Sequence, residues 1–543
     1  MRWLAGLLAT VSGATALAQA PLPAVDTAER LGTVSFAVSC APAQSAAFDR
    51  GVALLHDFWY DEAERQFKRI SQADPTCAMA HWGIAMSTFH QIWDRPDEGT
   101  LARGWEEMQK AGEATAKTTR ERDYIAAASR FFKPGKEDYQ GRIEAYSAAM
   151  GELYRRYPSD TDAGAFYALS LLAAEKPGDT SLTQERRALA VLKPLYAKYP
   201  DHPGLVHYVI HACDTPSLAS EGLAAARHYG EIASSGAHAV HMPGHIFARL
   251  GMWSEDIRAN LDSVAASQAA QARGQSDGMD QFHSDDFLLY AYLQSGQEAR
   301  AKSLIRETSA LLEHDQAMPE MLSGFMRMML PYYRNKFPAF YYLEMRDWKS
   351  AAALEPVSDA DPETETVTYW ARIVARGHLR DPLAARADLA IFDSLEERIK
   401  NGKHAYFTQT TGAKILQGEI HAWVAFADAR VEEALALMRG SADLQDKVGQ
   451  GEVDIPAREM LADMLLAAHR PAEALAEYER ALELSPNRFN GLFNAGMAAE
   501  ASGDRRKAAT FYAALLKSTD EHSSRQELEH VRSFVSGART AAD

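Results

Sequence analysis

A spacing of 34 residues between matching apolar patterns constrains this chain more than any other feature. In 471–486, PAEALAEYERALELSP, Ala474 and Ala481 bracket Tyr478, and Pro486 closes the segment. Thirty-four residues on, Ala508, Tyr512 and Leu515 stand at the same offsets, and Ala63, Phe67, Ile70 and Pro75 repeat the spacing near the N-terminus. Each residue type has a mechanical reason. A small side chain lets two antiparallel helices cross closely, an aromatic ring fills the gap beside it, and a proline cannot continue the helix. Such a hairpin carries two apolar faces and buries both only by stacking on its neighbours. Gly51, Gly244 and Gly496 fall at the small-residue position of the first helix in their units. Elsewhere apolar residues recur at three and four, which predicts helix; Val34–Val38 alternates and is expected to be extended.

These residues resemble the tetratricopeptide repeat (TPR). The resemblance implies an all-α fold, a TPR-like helical-hairpin solenoid that winds into a superhelix. The signal is strong at both ends of the chain and degenerate between. The organisation read from it is a signal peptide over 1–18, an N-terminal extended segment over 19–45, an N-terminal TPR-like array over 46–355 and a C-terminal one over 364–543. The boundary is placed in the acidic, proline-containing stretch Glu355–Glu363.

The signal peptide rests on Arg2, the apolar run Leu4–Leu17 and the small-x-small site Ala16-Leu17-Ala18. It predicts a periplasmic or secreted protein with no stable membrane anchor, since no later segment holds about 20 unbroken apolar residues. Export permits a disulfide. Of three cysteines, Cys40 and Cys77 flank the first hairpin and form the expected pair, with Cys213 left free. The net charge of −17 disfavours a nucleic-acid partner, because phosphate neutralisation needs clustered Lys and Arg.

Composition matters most in its histidines. Of 18, seven lie between His202 and His245. A register set by Gly244 and Gly251 gives His207 and His241 the fifth position of their units, and His211 and His245 the ninth. His238 takes the second, and a later unit places His283 at the second and Asp286 at the fifth. Residues four apart share a helix face, and in the TPR family these positions line the concave groove. His207, His211, His241 and His245 are therefore expected to form one four-cornered patch there. His238, His283, Asp286 and Asp214 would stand at its rim. His56 and His90, also 34 residues apart, are groove-facing, and superhelical curvature decides whether they reach the patch. Pro243 threatens the helix that carries His238 and His241. The other histidines, His202 among them, read as surface or packing residues.

The stretches HMPGHIFARLGMW, HYVIHACDTP and LLHDFWYDEA resemble a family of exported bacterial TPR-like proteins. That resemblance implies architecture with no reaction attached, and it marks His56, His207, His211, Asp214, His241 and His245 as motif residues. Gly274-Gln275-Ser276-Asp277-Gly278 matches G-x-S-x-G but lacks the strand-to-helix setting that a nucleophile needs. The aromatic groups Phe58-Trp59-Tyr60 and Tyr332-Tyr333 read as packing between repeats. Two functions follow. The one adopted is an exported, non-enzymatic binding or scaffold protein whose His-rich groove takes a peptide, a protein or a small ligand. The alternative is a metalloprotein or metal-dependent enzyme in which His207, His211, His241 and His245 hold Zn, Cu or Fe. In that case Asp214, Asp286 or His283 would orient a ligand or act as general base.

Overall fold

Phe67 shows how the repeat packs. In this computed structural model its ring lies against Gly51 of one helix and Gly83 of the next; a Cβ at either glycine would meet it at 2.7 and 2.3 Å. Tyr512 does the same at Gly496, where a Cβ would stand 2.2 Å away. The helices cross where a side chain is missing, so the crossing distance is written in the sequence. The structure describes residues 29–540 apart from 93–94, 115, 177, 277, 318–323, 358–359, 403–407, 409 and 449–452. The expected signal peptide lies outside the described residues.

The protein is an all-α solenoid of TPR-like hairpins. Helices follow one another from Ser45–His56 and Tyr60–Ala73 to Phe489–Ala501 and Arg505–Ser518, and each packs on its neighbours along the chain. Among the described residues there is no strand. Residues 30–40 carry no helix and cross the first units, with Leu31, Phe36 and Cys40 buried and Thr33, Ser35 and Ala37 exposed. Thr33 N donates to Asp201 O and Phe36 N to Asp49 Oδ1, so this segment straps distant helices together. Cys40 and Cys77 are joined in a disulfide at its end, and Cys213 is free and buried.

Helix packing continues across the loop after Trp348–Ala352. Arg372 and Arg376, beyond the loop, donate to Leu354 O and Ala352 O, and Thr368 Oγ1 donates to Asn335 Oδ1. The array also curls onto itself. The turn at Gly251, φ +63°, meets Pro486 O, which a Cβ would approach to 2.3 Å. Trp253 Nε1 donates to Asn487 O, and buried Arg488 joins Tyr290 to Glu344 and Glu459. At the other end Ser45–His56 packs against Pro203–Cys213, and Trp59 and Arg65 donate to the carbonyls of Gln275 and Gly274. Gly274 and Gln275 of the G-x-S-x-G segment are thus held through their carbonyls. This superhelical turn sets the first hairpin on the histidine-rich units.

Candidate metal centre

Four helices carry the histidines. Pro203–Cys213 opens with a proline at its first turn and presents His207 and His211 one turn apart. Ala237–His241 and Pro243–Arg249 meet at Met242, whose φ of −51° and ψ of −36° are helical. Pro243 therefore starts a second segment without deflecting the path, and the one-turn spacing from His241 to His245 is preserved. Met279–Gln294 supplies His283.

The imidazoles do not form one four-cornered patch. They form two triads, His207 with His211 and His238, and His241 with His245 and His283; within each, one ligand-capable atom per residue lies within 4.8 Å of the others. His238 and His283 thus move from the expected rim into the triads. The two triads are neighbours, because His238 and His241 share one helical turn and their ring centroids are 6.2 Å apart. Nor do the rings line an open groove. His207 and His241 are at most 1% exposed, and His238 and His245 are 5% exposed, while His211 and His283 are half-buried. The concave surface expected from the register is filled, because the superhelix brings residues 56–60 down upon it.

What fills it is specific. Phe58 packs on all three rings of the first triad, with centroids 4.4 Å from His207, 5.5 Å from His211 and 5.4 Å from His238. It does so from a left-handed backbone, φ 57°, a conformation that costs a non-glycine residue energy and collects at functional sites. Phe287 plays the same part on the second triad, 4.7 Å from His241, 4.8 Å from His245 and 5.5 Å from His283. Each set of three imidazoles is walled by one phenyl ring.

Hydrogen bonds fix the tautomers. His207 Nδ1 donates to the carbonyl oxygen of His56 at 2.6 Å, and His241 Nδ1 donates to Asn260 Oδ1 at 2.6 Å. Asn260 is oriented in turn because its Nδ2 donates to Asp256 Oδ1 at 2.7 Å. His245 Nδ1 donates to Asp214 Oδ2 at 2.9 Å, and Arg249 holds the other oxygen of Asp214. A neutral imidazole that donates from Nδ1 presents a bare lone pair at Nε2. Those Nε2 atoms converge: His241 and His245 face each other at 2.9 Å, and His207 and His238 at 3.2 Å. For His241 and His245, whose Nδ1 atoms both donate, two bare lone pairs at 2.9 Å repel unless a proton or a metal ion lies between them. His238 can instead donate from Nε2 to His207. Two nitrogens bound to one ion at about 2.0–2.1 Å stand about 2.9–3.4 Å apart at bond angles near 90–110°. Burial, then the neighbouring imidazoles, hold His207 and His238 far below the ordinary histidine pKa, so both are in the neutral form that ligates metals.

Of the other expected residues, Asp214 is a positioning group for His245. Asp286 forms a buried ion pair with Lys336 at 2.5 Å and belongs to neither triad. His90 stacks on Tyr60 with centroids 4.4 Å apart and belongs to neither triad. His56 reaches the centre through its carbonyl. Its ring faces away, with Nε2 3.0 Å from Asp162 Oδ1 and Nδ1 accepting from Tyr208 at 2.9 Å. Gly204 makes room for it, since a Cβ there would meet His56 Nδ1 at 2.3 Å. His202, read as a packing residue, is buried on the same Asp162 oxygen at 3.2 Å. Burial takes the His56 pKa down to about 4 against the pull of Asp162.

Asn260 and Phe287 were not anticipated, and Phe58 was read only as packing between repeats, yet Asn260 left a trace. Phe67 follows Gly51 by sixteen residues and Tyr512 follows Gly496 by sixteen; sixteen after Gly244 stands Asn260. At that position a polar side chain replaces the ring, and a Cβ on Gly244 would meet Asn260 Nδ2 at 2.7 Å.

No protein-family model matches the chain, and no curated protein matches it. Among solved structures, yeast Tom70 aligns over 92% of this chain and 96% of its own, at 11% identity and a TM-score of 0.32. A tetratricopeptide repeat protein from Parabacteroides merdae aligns over 55% and 97%, at 13% identity and a TM-score of 0.27. Human IFIT1, solved as a dimer with m7Gppp-AAAA, aligns over 81% and 90%, at 11% identity and a TM-score of 0.36. None of these likenesses bears on the site, which rests on this chain's own side chains.

Proposed function

We propose that the protein binds two transition-metal ions side by side, one in each histidine triad. The observation that carries this is the pair of converging Nε2 contacts, with the tautomers of His207, His241 and His245 set so that each lone pair points inward. Three protein nitrogens per ion leave a coordination position open, which is the arrangement of a reactive centre rather than a closed structural one. Zn, Cu and Fe all accept imidazole. A peptide laid in an open groove does not reach rings this deeply covered, so the metal reading displaces the groove-ligand reading at these residues.

The solenoid still suits a protein-binding scaffold, since stacked hairpins present extended surfaces to partners. No helix among the described residues is long and apolar enough to cross a membrane. The Cys40–Cys77 disulfide supports the reading of an exported protein folded in an oxidising compartment.

Metal analysis of protein purified without a histidine tag tests the proposal. Two equivalents per chain are expected after reconstitution, falling to one in His238→Ala and to one in His283→Ala. Less than a tenth of an equivalent, before and after reconstitution, would sink it.

A further inference from the structure

A cavity of about 350 Å³ lies where the C-terminal units come back against the earlier ones. The loop before Thr183–Lys198 and the first turn of that helix form part of its wall, and the ends of Val431–Val448 and Pro471–Leu484 face them. Its size falls within the ~300–1,000 Å³ typical of small-molecule sites. None of its lining residues belongs to a histidine triad. The charged lining is mostly acidic, with Glu175, Asp179, Glu185 and Asp446 against Lys447 and Arg458. Arg458 is already engaged, because its guanidinium is buried among Asp443, Asp446 and Glu477 at 2.5, 2.7 and 2.6 Å.

Glu185 is the group that calls for a ligand. It is only 6% exposed, and among the described residues nothing donates to its Oε2. A desolvated carboxylate oxygen without a donor is costly, and a charged N–H offsets that cost. Glu175 is hydrogen-bonded to Glu185, a contact that two carboxyls make only while one of them holds a proton. Burial, then the charges of Glu185 and Asp179, push the Glu175 carboxyl up to about 7. Near neutral pH the pair therefore gives up that proton readily, and a bound cation takes its place.

Size and wall chemistry select the cation. A divalent metal ion such as calcium takes about six to eight oxygens at ~2.3–2.6 Å. This cavity is much wider than one ion, and Leu182, Val448 and Leu484 line it as well. An alkylammonium ion suits both parts, with three N–H donors for the carboxyls and a hydrocarbon body for the apolar wall. We propose that the cavity binds a small primary amine in its ammonium form, held by Glu185 and Glu175, with its hydrocarbon chain on Leu182 and Leu484.

The probe is hexylamine, titrated into the full-length protein by calorimetry, with hexanol and calcium chloride as comparisons. Hexylamine should bind with a Kd below about 1 mM, and hexanol at least about tenfold more weakly. Affinity should rise between about pH 6 and pH 8, because the ammonium displaces the proton that Glu175 holds below about 7. Glu185→Gln keeps the shape, removes the charge, and should weaken hexylamine at least about tenfold. Thermal unfolding checks that this variant folds; if it does not, Glu175→Gln, at a half-buried position, should abolish the pH dependence. Hexylamine that binds no better than hexanol would overturn the proposal. So would binding that survives Glu185→Gln, as coordination to a metal in the triads would, or a pH dependence that survives Glu175→Gln. Calcium that binds more tightly and displaces hexylamine would overturn it in favour of a metal-ion site.

Discussion

Two units of one solenoid use the same slot in opposite ways. In the hairpin Phe489–Ala501 with Arg505–Ser518, Tyr512 fills the gap beside Gly496 and the helices lock through an apolar contact. In the hairpin that begins at Ala237, the gap beside Gly244 holds Asn260 and Asp256 instead. The backbone arrangement is shared, but the second unit has traded a buried ring for two buried polar groups, one of which, Asn260, accepts from His241. A repeat that tolerates that exchange gives up packing energy in return for an oriented imidazole. Neighbouring units on both sides supply the burial that the altered one lacks, as expected where stability is summed over interfaces.

The largest effect lies on the apolar side of the comparison. Tyr512→Ala should cost about 3–5 kcal/mol of stability by chemical denaturation, the range for an emptied aromatic site, with two metal ions still bound. A loss of metal alongside the loss of stability would show that the units are not separable.

The hairpin of Gly51 and Phe67 has the apolar filling of the Tyr512 unit, yet it should carry an acid cost through His56 at the end of its first helix. Burial lowers the folded-state pKa of His56 from 6.5 to about 4, so below pH 6.5 the unfolded chain takes up a proton that the folded chain refuses. Folded stability therefore falls as pH drops from about 6.5 toward 4, by up to about 3 kcal/mol from this group, and is fully present above that window. Urea midpoints measured across the window should flatten in His56→Asn, and an unchanged slope would assign the acid sensitivity elsewhere.

The smallest effect is the most specific. Gly244→Ala puts a Cβ 2.7 Å from Asn260 Nδ2 and 2.9 Å from Asp256 Oδ1, so the pair must turn away from His241. Affinity for the ion of the second triad should fall about 10–100-fold, the usual loss when an orienting partner goes. The first triad should keep its ion. Equal weakening of both sites would mean that the two behave as one unit.

Most of the architecture was legible because its determinants are local and periodic. Gly51 with Phe67 and Gly496 with Tyr512 fix helix crossings within one hairpin, and sixteen residues are easily read. The same register brought His207, His211, His241 and His245 onto corresponding faces. It misplaced the grouping, since a flat projection of two hairpins puts four rings at the corners of one square. The actual helices are offset, and each pair closes on a third histidine from the following segment. Asp286 belongs to neither triad and pairs with Lys336, fifty residues on, a long-range contact that register does not reveal.

By itself the sequence determined the repeat, the helices and which side chains are available, because each depends on spacing within about one hairpin. The tertiary structure alone decided that the histidines are buried and that Phe58, about 150 residues before His207, forms one wall of their site. That outcome depends on superhelical curvature, the sum of small rotations at each interface. No single unit encodes that sum, so it becomes visible only when the whole array is assembled.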